Sequence, residues 1–166
     1  PRDWSSDVCS SDLTTIDTLD YSGDDLNSGS KLVLAAYGNQ RRKLATILPE
    51  RITSLNAQAH IIMPGVIAVS AEKETVYSIQ EKLKGQGEDL LEKQGVTIII
   101  ITENPAWMAE DFNNFIWATF TRVNPANDIE GVDSGIQNKH WGCKGPLIFD
   151  GTIKKRSEEH TSELQS

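Results

Sequence analysis

Apolar runs separated by turn residues predict an alternation of strands and helices along most of the chain. KLVLAAY at 31–37, AHIIMPGVIAV at 59–69 and VTIIIIT at 96–102 predict strands. Pro64-Gly65 interrupts the second run, so we expect that strand to be bent, bulged or split. The third run is continuous and β-branched, which is typical of a strand covered on both faces in a parallel or mixed sheet. LIFD at 147–150 predicts a last strand.

Two helices are predicted from apolar residues at helical spacing that stop before a proline. Segment 40–48 predicts a short helix that ends at Pro49. The clearer helix has an apolar stripe at positions i, i+3, i+4 and i+8, which consists of Phe112, Phe115, Ile116 and Phe120. Glu110 and Asp111 lie at its start, where the helix dipole favours acids, and the helix has to end before Pro125.

A third helix is predicted for the charged segment 76–94, whose apolar side chains fall on one face: Val76, Ile79, Leu83, Leu90 and Leu91. We expect this face to pack on a sheet and Gly95 to cap the helix. A break near Lys84 is expected because Gly85 and Gly87 each cost about 1 kcal/mol inside a helix. These glycines follow no strand and lack the Lys-Ser/Thr pair of a phosphate-binding loop, so we predict no nucleotide site there.

The alternation of strands and helices predicts the α/β fold class. We expect a single three-layer-like domain over residues 14–155, with a mixed or parallel sheet flanked by helices. A chain of this length can bury one hydrophobic core. The longest apolar run, at 96–101, is far shorter than the roughly 20 residues of a membrane helix. We therefore predict neither a membrane span nor a signal peptide.

The two ends of the chain do not fit this pattern. RSEEHTSELQS at 156–166 back-translates to a DNA strand whose reverse complement, shifted by one base, encodes DWSSDVCSSDL at 3–13. This inverted repeat resembles a common sequencing-library adapter. We therefore predict that 1–13 and 156–166 are adapter-derived, disordered tails. The residues between them are expected to be an internal fragment of a longer protein.

Charge and cysteine content change when the predicted tails are set aside. The whole chain has a net charge of −8 and each tail carries −2, which leaves −4 for residues 14–155. Mild acidity argues against nucleic-acid binding, and Arg41-Arg42-Lys43 is expected to form a solvated helix face. Cys143 is then the one native cysteine, so we expect no disulfide and a reducing, cytoplasmic setting.

Polar and aromatic residues are dense in the last third of the chain: Arg122, Asn124, Asp128, Asn138, Lys139, His140, Trp141 and Cys143. His140 and Cys143 have the spacing of half a zinc site, but a structural zinc site needs four ligands, so we predict no metal site. Two further interpretations of His140 and Cys143 remain. They form a Cys-His nucleophile pair, or they are a buried cysteine and a hydrogen-bonded histidine without a catalytic role. Asp128 is expected to form a structural ion pair with Arg122 across the Pro125 turn.

Three motifs follow one another between 112 and 155. A helix ending in TR is followed by NP and DI, then by NKHWG, then by GPL leading to Asp150 and Lys154. In this order they resemble the C-terminal domain of UbiD-type decarboxylases. SGSKLVLAAYGNQ at 28–40 and IMPGVIAV at 62–69 are similar to the same family, so the resemblance covers residues 16–155. The branch that includes menaquinone-pathway decarboxylases is the most similar.

The resemblance implies a carboxy-lyase that reversibly and non-oxidatively decarboxylates an aromatic or α,β-unsaturated acid, in menaquinone or ubiquinone biosynthesis. The parent enzyme would use prenylated FMN with a divalent metal and potassium, held in an upstream flavin-binding domain of the same polypeptide. No catalytic, cofactor-binding or metal-binding residue carries over to this chain. The fragment alone is therefore expected to be inactive and to bind none of these cofactors. Its implied roles are homo-oligomer assembly and a lid over the substrate mouth.

Lid or interface contacts are assigned to six residues: Arg122, Asn124, Asp128, Lys139, His140 and Trp141. A core or loop-pinning role is the alternative for Trp141. Two other functions stay open at the level of sequence. One is a stand-alone α/β oligomerisation or binding module without catalysis, and the other is a small-molecule enzyme built on His140 and Cys143.

Overall fold

The computed structural model describes Asn39 and residues 41–55, 58–72 and 74–154. The strand predicted at 31–37 and both predicted tails lie outside these residues. The described residues form a five-stranded sheet, a separate two-stranded sheet and the helices around them. None of the helices in the described ranges has the length and apolarity that a bilayer crossing requires.

The strands fall into two sheets, one mixed and one antiparallel. They are β1 (Ala59–Met63), β2 (Val66–Ser70), β3 (Ile98–Thr102), β4 (Ile129–Gly131), β5 (Ser134–Gln137), β6 (His140–Cys143) and β7 (Leu147–Asp150). The larger sheet has the order β1-β2-β3-β7-β4. Its three inner strands are parallel, and the edge strands β1 and β4 are antiparallel to their neighbours. β5 and β6 form an antiparallel hairpin of their own.

The helices connect the parallel strands and cover the larger sheet. They are α1 (Glu50–Thr53), α2 (Val76–Leu83), α3 (Pro105–Glu110) and α4 (Phe112–Arg122), and a π-helical segment spans Asp89–Lys93. α2 and the π-helical segment lie between β2 and β3, and α3 and α4 follow β3. Sequence reasoning missed α3, although Asn104 as N-cap before Pro105 is a recognised helix-start signal.

The larger sheet is covered on each face by an apolar cluster. Successive side chains of β3 point to opposite sides of the sheet and so enter different clusters. Ile99 belongs to one apolar cluster with Ile79 of α2. Ile100 belongs to a second cluster with Met108 of α3 and Phe115 of α4. Helices on both sides of a mixed sheet make three layers, which confirms the predicted α/β domain.

Three expectations about breaks and turns are confirmed. The run at 59–69 is split into β1 and β2, which pair around a turn at Gly65, where φ is +82°. α2 ends at Leu83, next to the expected break at Lys84, and Gly85 has φ of +74°. Gly95 adopts φ of +70° in front of β3. Only glycine takes such left-handed angles without a steric cost.

The helix predicted at 40–48 is wrong. Residues 41–48 are irregular, and Pro49 is the N-cap of α1 instead of the end of a helix. The Ala45 amide donates a hydrogen bond to the Gly95 carbonyl (3.0 Å), and the Gly65 amide donates to the Ala45 carbonyl (2.9 Å). These tertiary bonds outweigh the weak propensity of a short helix. The expected solvated helix face is therefore absent from 41–48, and Arg42 instead pairs with Glu92.

α4 confirms the predicted helix and its end before Pro125. The Asp111 side chain caps the helix by accepting a hydrogen bond from the Asn113 amide (2.7 Å). The sheet-facing side carries Phe115 and Ala118, both buried.

The two ends of the apolar stripe on α4 have a different environment. Such a stripe ordinarily faces a core, yet Phe112 and Phe120 are exposed. Ile116 between them is half-buried and packs against the second cluster, so only the two ends of the stripe face outward.

Candidate functional site

The six residues assigned to a lid or interface divide between two elements. Three lie at the end of α4 or in the turn that follows it, namely Arg122, Asn124 and Asp128. The other three lie at the turn and in the second strand of the β5–β6 hairpin, namely Lys139, His140 and Trp141. The assignment to a lid or interface stays a prediction for all six.

The turn after α4 is fixed by hydrogen bonds within it. Asp128 Oδ2 accepts a hydrogen bond from the Asn124 amide (2.8 Å), and Asn124 Oδ1 accepts one from the Ala126 amide (3.1 Å). Lys154 Nζ lies 3.8 Å from Asp128 Oδ2. Asp128 therefore joins this turn to the last described residues of the chain.

The predicted Arg122–Asp128 ion pair is wrong. Arg122 Nη1 instead pairs with Glu103 Oε2 at 3.3 Å, and the guanidinium carbon lies 5.4 Å from the centre of the Trp117 ring. The Asp128 carboxylate is already bound by the Asn124 amide. Glu103, just after β3, is the carboxylate that reaches the last turn of α4.

Asp150, at the end of β7, is the centre of a second polar group. Its Oδ1 accepts a hydrogen bond from the Thr152 hydroxyl (2.6 Å) and pairs with Lys154 Nζ (3.0 Å). Burial alone would raise the pKa of Asp150, but the hydrogen bonds from Thr152 and Lys154 outweigh it and lower that pKa below its ordinary value. An ionised, internally paired carboxylate thus lies at the carboxyl end of a parallel strand, the edge where open α/β sheets bind ligands.

The β5–β6 hairpin presents its tip to solvent. Asn138 and Lys139 have φ of +51° and +67°, which identifies a two-residue type I′ turn. Asparagine tolerates this conformation, whereas the Cβ of a lysine makes it strained. Lys139, His140 and Trp141 are all exposed.

Trp141 also has contacts within the fold. It pairs with Ile136 across the hairpin. Its Cη2 lies close to Gly131, because a Cβ added to that glycine would be 3.4 Å away. This contact supports the loop-pinning alternative, while the 40% of Trp141 that is exposed is accessible to a partner.

His140 and Cys143 are not arranged as a nucleophile and its base. They lie three residues apart in one strand, so their side chains point to opposite faces. The Cys143 thiol donates a hydrogen bond to the Gly145 carbonyl (3.2 Å). Burial raises the pKa of Cys143, so the thiol is protonated at neutral pH. Within the described ranges, no group of three or more His, Cys, Asp and Glu side chains is placed to bind a metal.

We expect Cys143 to be alkylated slowly by iodoacetamide at neutral pH, because the thiolate is the reactive form. A Cys9→Ser variant leaves Cys143 as the one thiol, and mass spectrometry measures its labelling rate against pH. The rate should be lower than in the urea-unfolded variant, and it should rise only above the ordinary thiol pKa of about 8.5. Rapid labelling of the folded variant at neutral pH would contradict the raised pKa.

The amides of the glycine-rich loop after α2 are occupied by Asp133. Its Oδ1 accepts a hydrogen bond from the Gly85 amide (2.7 Å) and its Oδ2 accepts one from the Gly87 amide (2.8 Å). Free backbone amides are what bind phosphates in such loops. This loop therefore does not fit the phosphate of a flavin.

Sequence reasoning missed Asp133 as a structural residue. The two glycines lie 48 and 46 residues away from it along the chain, so no local pattern indicates the contact. Its φ of +53° shows that the loop also holds Asp133 in a left-handed conformation, which aspartate tolerates better than most residues.

Comparisons with known proteins relate the chain to much longer ones. No protein-family model matches it. It is 26% identical over 145 residues to an uncharacterized protein of Chlamydia muridarum. It is 28% identical over 143 residues to a protein of Chlamydia pneumoniae that is named as a subunit of 4-hydroxybenzoate decarboxylase. Each match covers 85% of this chain and 23% of the relative, so the chain spans about a quarter of the length of these curated relatives.

A solved structure with some likeness is the vanillic acid decarboxylase of Sedimentibacter hydroxybenzoicus in its open form. It is 18% identical, with a TM-score of 0.34, over 61% of this chain and 26% of that one. A TM-score of this size does not establish a shared fold. The sequence matches support a distant relationship between this α/β domain and decarboxylase subunits of the UbiD-like kind.

Proposed function

We propose that the chain is the C-terminal, assembly and substrate-lid domain of a UbiD-type carboxy-lyase. The observation that carries this proposal is the similarity to the chlamydial protein named as a decarboxylase subunit, which extends over most of the chain. The parent enzyme reversibly and non-oxidatively decarboxylates an aromatic or α,β-unsaturated acid, within menaquinone or ubiquinone biosynthesis.

The decarboxylation chemistry belongs to another part of the parent. Prenylated FMN, with a divalent metal and potassium, supplies that chemistry when bound. Because the amides of the glycine-rich loop after α2 are already bound by Asp133, we assign the cofactor to an upstream flavin-binding domain of the same polypeptide. The residues of this chain then orient the substrate and exclude water, and the chain alone is inactive.

The β5–β6 hairpin is the element best suited to act as a lid. It forms a sheet separate from the five-stranded one, and a two-stranded hairpin is only marginally stable by itself. Cys143 packs on Gly131 and holds the base of the hairpin. In a closed state Trp141 would cover the substrate and exclude water, and Lys139 would attract the carboxylate of an acid.

Two proteins made from the source DNA test this division of roles. One is the 166-residue chain, and the other is the complete parent, recovered by sequencing outward from both ends. Each is supplied with prenylated FMN, a divalent metal and potassium, and is assayed for carbon dioxide release from 4-hydroxybenzoate and a panel of other aromatic and unsaturated acids. Only the complete parent is expected to be active. Decarboxylation by the chain alone, or a start codon near residue 14, would contradict the proposal.

Variants of the complete parent test the lid. Trp141→Ala is expected to lower kcat, because the closed state no longer excludes water. Ile136→Ala is the control, since Ile136 is the cross-strand neighbour of Trp141 and is 79% exposed. Equal kcat values for the two variants would remove the lid role from Trp141.

The second candidate is a stand-alone α/β oligomerisation or binding module without catalysis. The described residues favour it in one respect, because they cover both faces of the larger sheet with their own side chains. A start codon just before residue 14, together with a chain that folds and decarboxylates none of the acids, would establish this alternative.

A further inference from the structure

Lys139 occupies a backbone position that is unfavourable for lysine. It is the second residue of the two-residue turn between β5 and β6, and its φ is +67°. Type I′ turns have left-handed angles at both central residues, so glycine is strongly preferred there. A lysine with such a φ is strained, because its Cβ comes close to the following carbonyl oxygen. Residues held in strained conformations are concentrated at functional sites, so a function of the Lys139 side chain is expected.

The Lys139 ammonium is a cation without a partner in the domain. Lys82, Lys93 and Lys154 each form an ion pair with a carboxylate. Lys139 is exposed, and no carboxylate within the described ranges pairs with it. The whole chain has a net charge of −8, which repels anions from most of its surface. The tip of the hairpin therefore offers an anion a positive charge that is not already neutralised.

The β5–β6 hairpin is attached to the rest of the domain mainly through one of its faces. Gly135 and Gly142 are opposite each other in the antiparallel pair and therefore share a face. A Cβ added to either glycine would meet no atom within 4 Å. On the other face, Trp141 and Cys143 lie against Gly131. An element with few packed neighbours opens at a lower free-energy cost than the core, so the hairpin can move as a unit.

Decarboxylation changes the charge of the ligand that such a lid would cover. The bond between the carboxylate carbon and the substrate carbon breaks, carbon dioxide leaves, and a proton takes its place on the substrate carbon. The acid carries a negative charge at this position, and the organic product does not. The Lys139 ammonium therefore attracts the acid and not the product. This attraction is stronger once closure has excluded water, because the local dielectric constant is then lower.

We propose that the hairpin lid is gated by the charge of its ligand: Lys139 draws the lid closed over the acid, and loss of the carboxylate releases it. Lys139 is then a specificity-determining residue, which distinguishes the substrate from the decarboxylated product. A glycine would suit the turn better but would bring no charge to the tip. This inference rests on the proposed function and adds to it how the lid is regulated.

Three substitutions at Lys139 separate its charge from its strain. Lys139→Gln removes the charge and keeps the Cβ, Lys139→Arg keeps both, and Lys139→Gly removes both. Thermal unfolding of the 166-residue chain, followed by circular dichroism, should give a Tm about 2–4 °C higher for Lys139→Gly and an unchanged Tm for Lys139→Gln. Equal Tm values for Lys139→Gly and the parent chain would show that the lysine is not strained, which overturns the inference at its first step.

Kinetics of the complete parent, loaded with its cofactor, test the gate itself. The two quantities are the KM of the acid and the inhibition constant of its decarboxylated product, which is phenol for 4-hydroxybenzoate. Lys139→Gln is expected to raise KM about tenfold, which corresponds to about 1.4 kcal/mol of lost attraction. The inhibition constant of the product should change by less than about twofold. Lys139→Arg should retain the KM of the parent.

A matched control and a salt titration complete the design. Lys144→Gln removes a positive charge from an exposed residue just after β6 and should leave both constants unchanged. KM of the parent should rise with salt, because ions screen an exposed charge, and KM of Lys139→Gln should rise less steeply. A purely structural role of Lys139 would give no such difference in salt dependence, and that result overturns the gate.

The outcomes distinguish this inference from the function on which it rests. An active parent in which Lys139→Gln raises both constants alike, or changes neither, overturns the charge gate and leaves the decarboxylase role intact. A complete parent that decarboxylates none of the acids overturns the proposed function and the gate with it.

Discussion

Gly95→Ala is expected to destabilise the domain by about 3 kcal/mol, whereas Gly85→Ala should cost only about 1 kcal/mol. Both glycines are left-handed, with φ of +70° and +74°. A left-handed alanine costs about 1–2 kcal/mol in either place. The two sites differ in the space around the added methyl group, so the pair of variants separates backbone strain from steric overlap.

The space at Gly95 is filled by the backbone of the irregular segment 41–48. A Cβ there would overlap the carbonyl oxygen of Lys43 and would lie 2.8 Å from the Ala45 amide nitrogen. The segment has to move, which breaks the hydrogen bond from Ala45 to Gly95 and leaves buried polar groups unpaired. A Cβ at Gly85 meets nothing within 4 Å. Urea unfolding gives both free energies of unfolding, and equal losses for the two variants would contradict the role of the overlap.

Asp133→Ala is expected to cost about 3 kcal/mol, and Asp133→Asn about half as much. Alanine removes both acceptors of the Gly85 and Gly87 amides and is itself strained at a φ of +53°. Asparagine keeps one acceptor oxygen and tolerates the left-handed conformation. The same urea titration measures all of these losses.

Glu81→Ala is the control for charge removal on the same side of the domain. Its pair with Lys84 spans 3.5 Å between exposed side chains, so the loss should stay below about 0.5 kcal/mol. Asp133 immediately precedes β5, so Asp133→Ala should also increase hydrogen exchange in the hairpin. Unchanged stability and exchange would show that the two amide bonds contribute little.

Local patterns predicted those elements whose burial repeats along a few residues. β3 was predicted from a continuous β-branched run and β7 from its four residues, and both lie in the interior of the sheet, where that composition is required. The break after Leu83 and the turn at Gly65 followed from glycine and proline chemistry. In these places the local preference and the fold agree.

Contacts between distant segments could not be predicted in this way. Segment 41–48 has helical spacing, but its amides and carbonyls bond to Gly95 and Gly65 instead of to each other. Arg122 had a carboxylate nearby in sequence, yet it pairs with Glu103, which is 19 residues away. The pattern on α4 correctly predicted a helix, and it could not show that two of its aromatic side chains face outward. Whether the six proposed lid or interface residues contact a substrate or a partner stays a prediction.

Successive side chains of β3 belong to two different apolar clusters, and this arrangement affects how the domain unfolds. Ile99 and Ile100 are covalent neighbours, but each supports a different helical layer. Peeling away either layer would leave one side of the central strand in water and would remove the support on which the opposite layer rests. We therefore expect the two layers to melt in a single cooperative step, so that spectroscopic probes placed on opposite sides of the sheet would report the same transition.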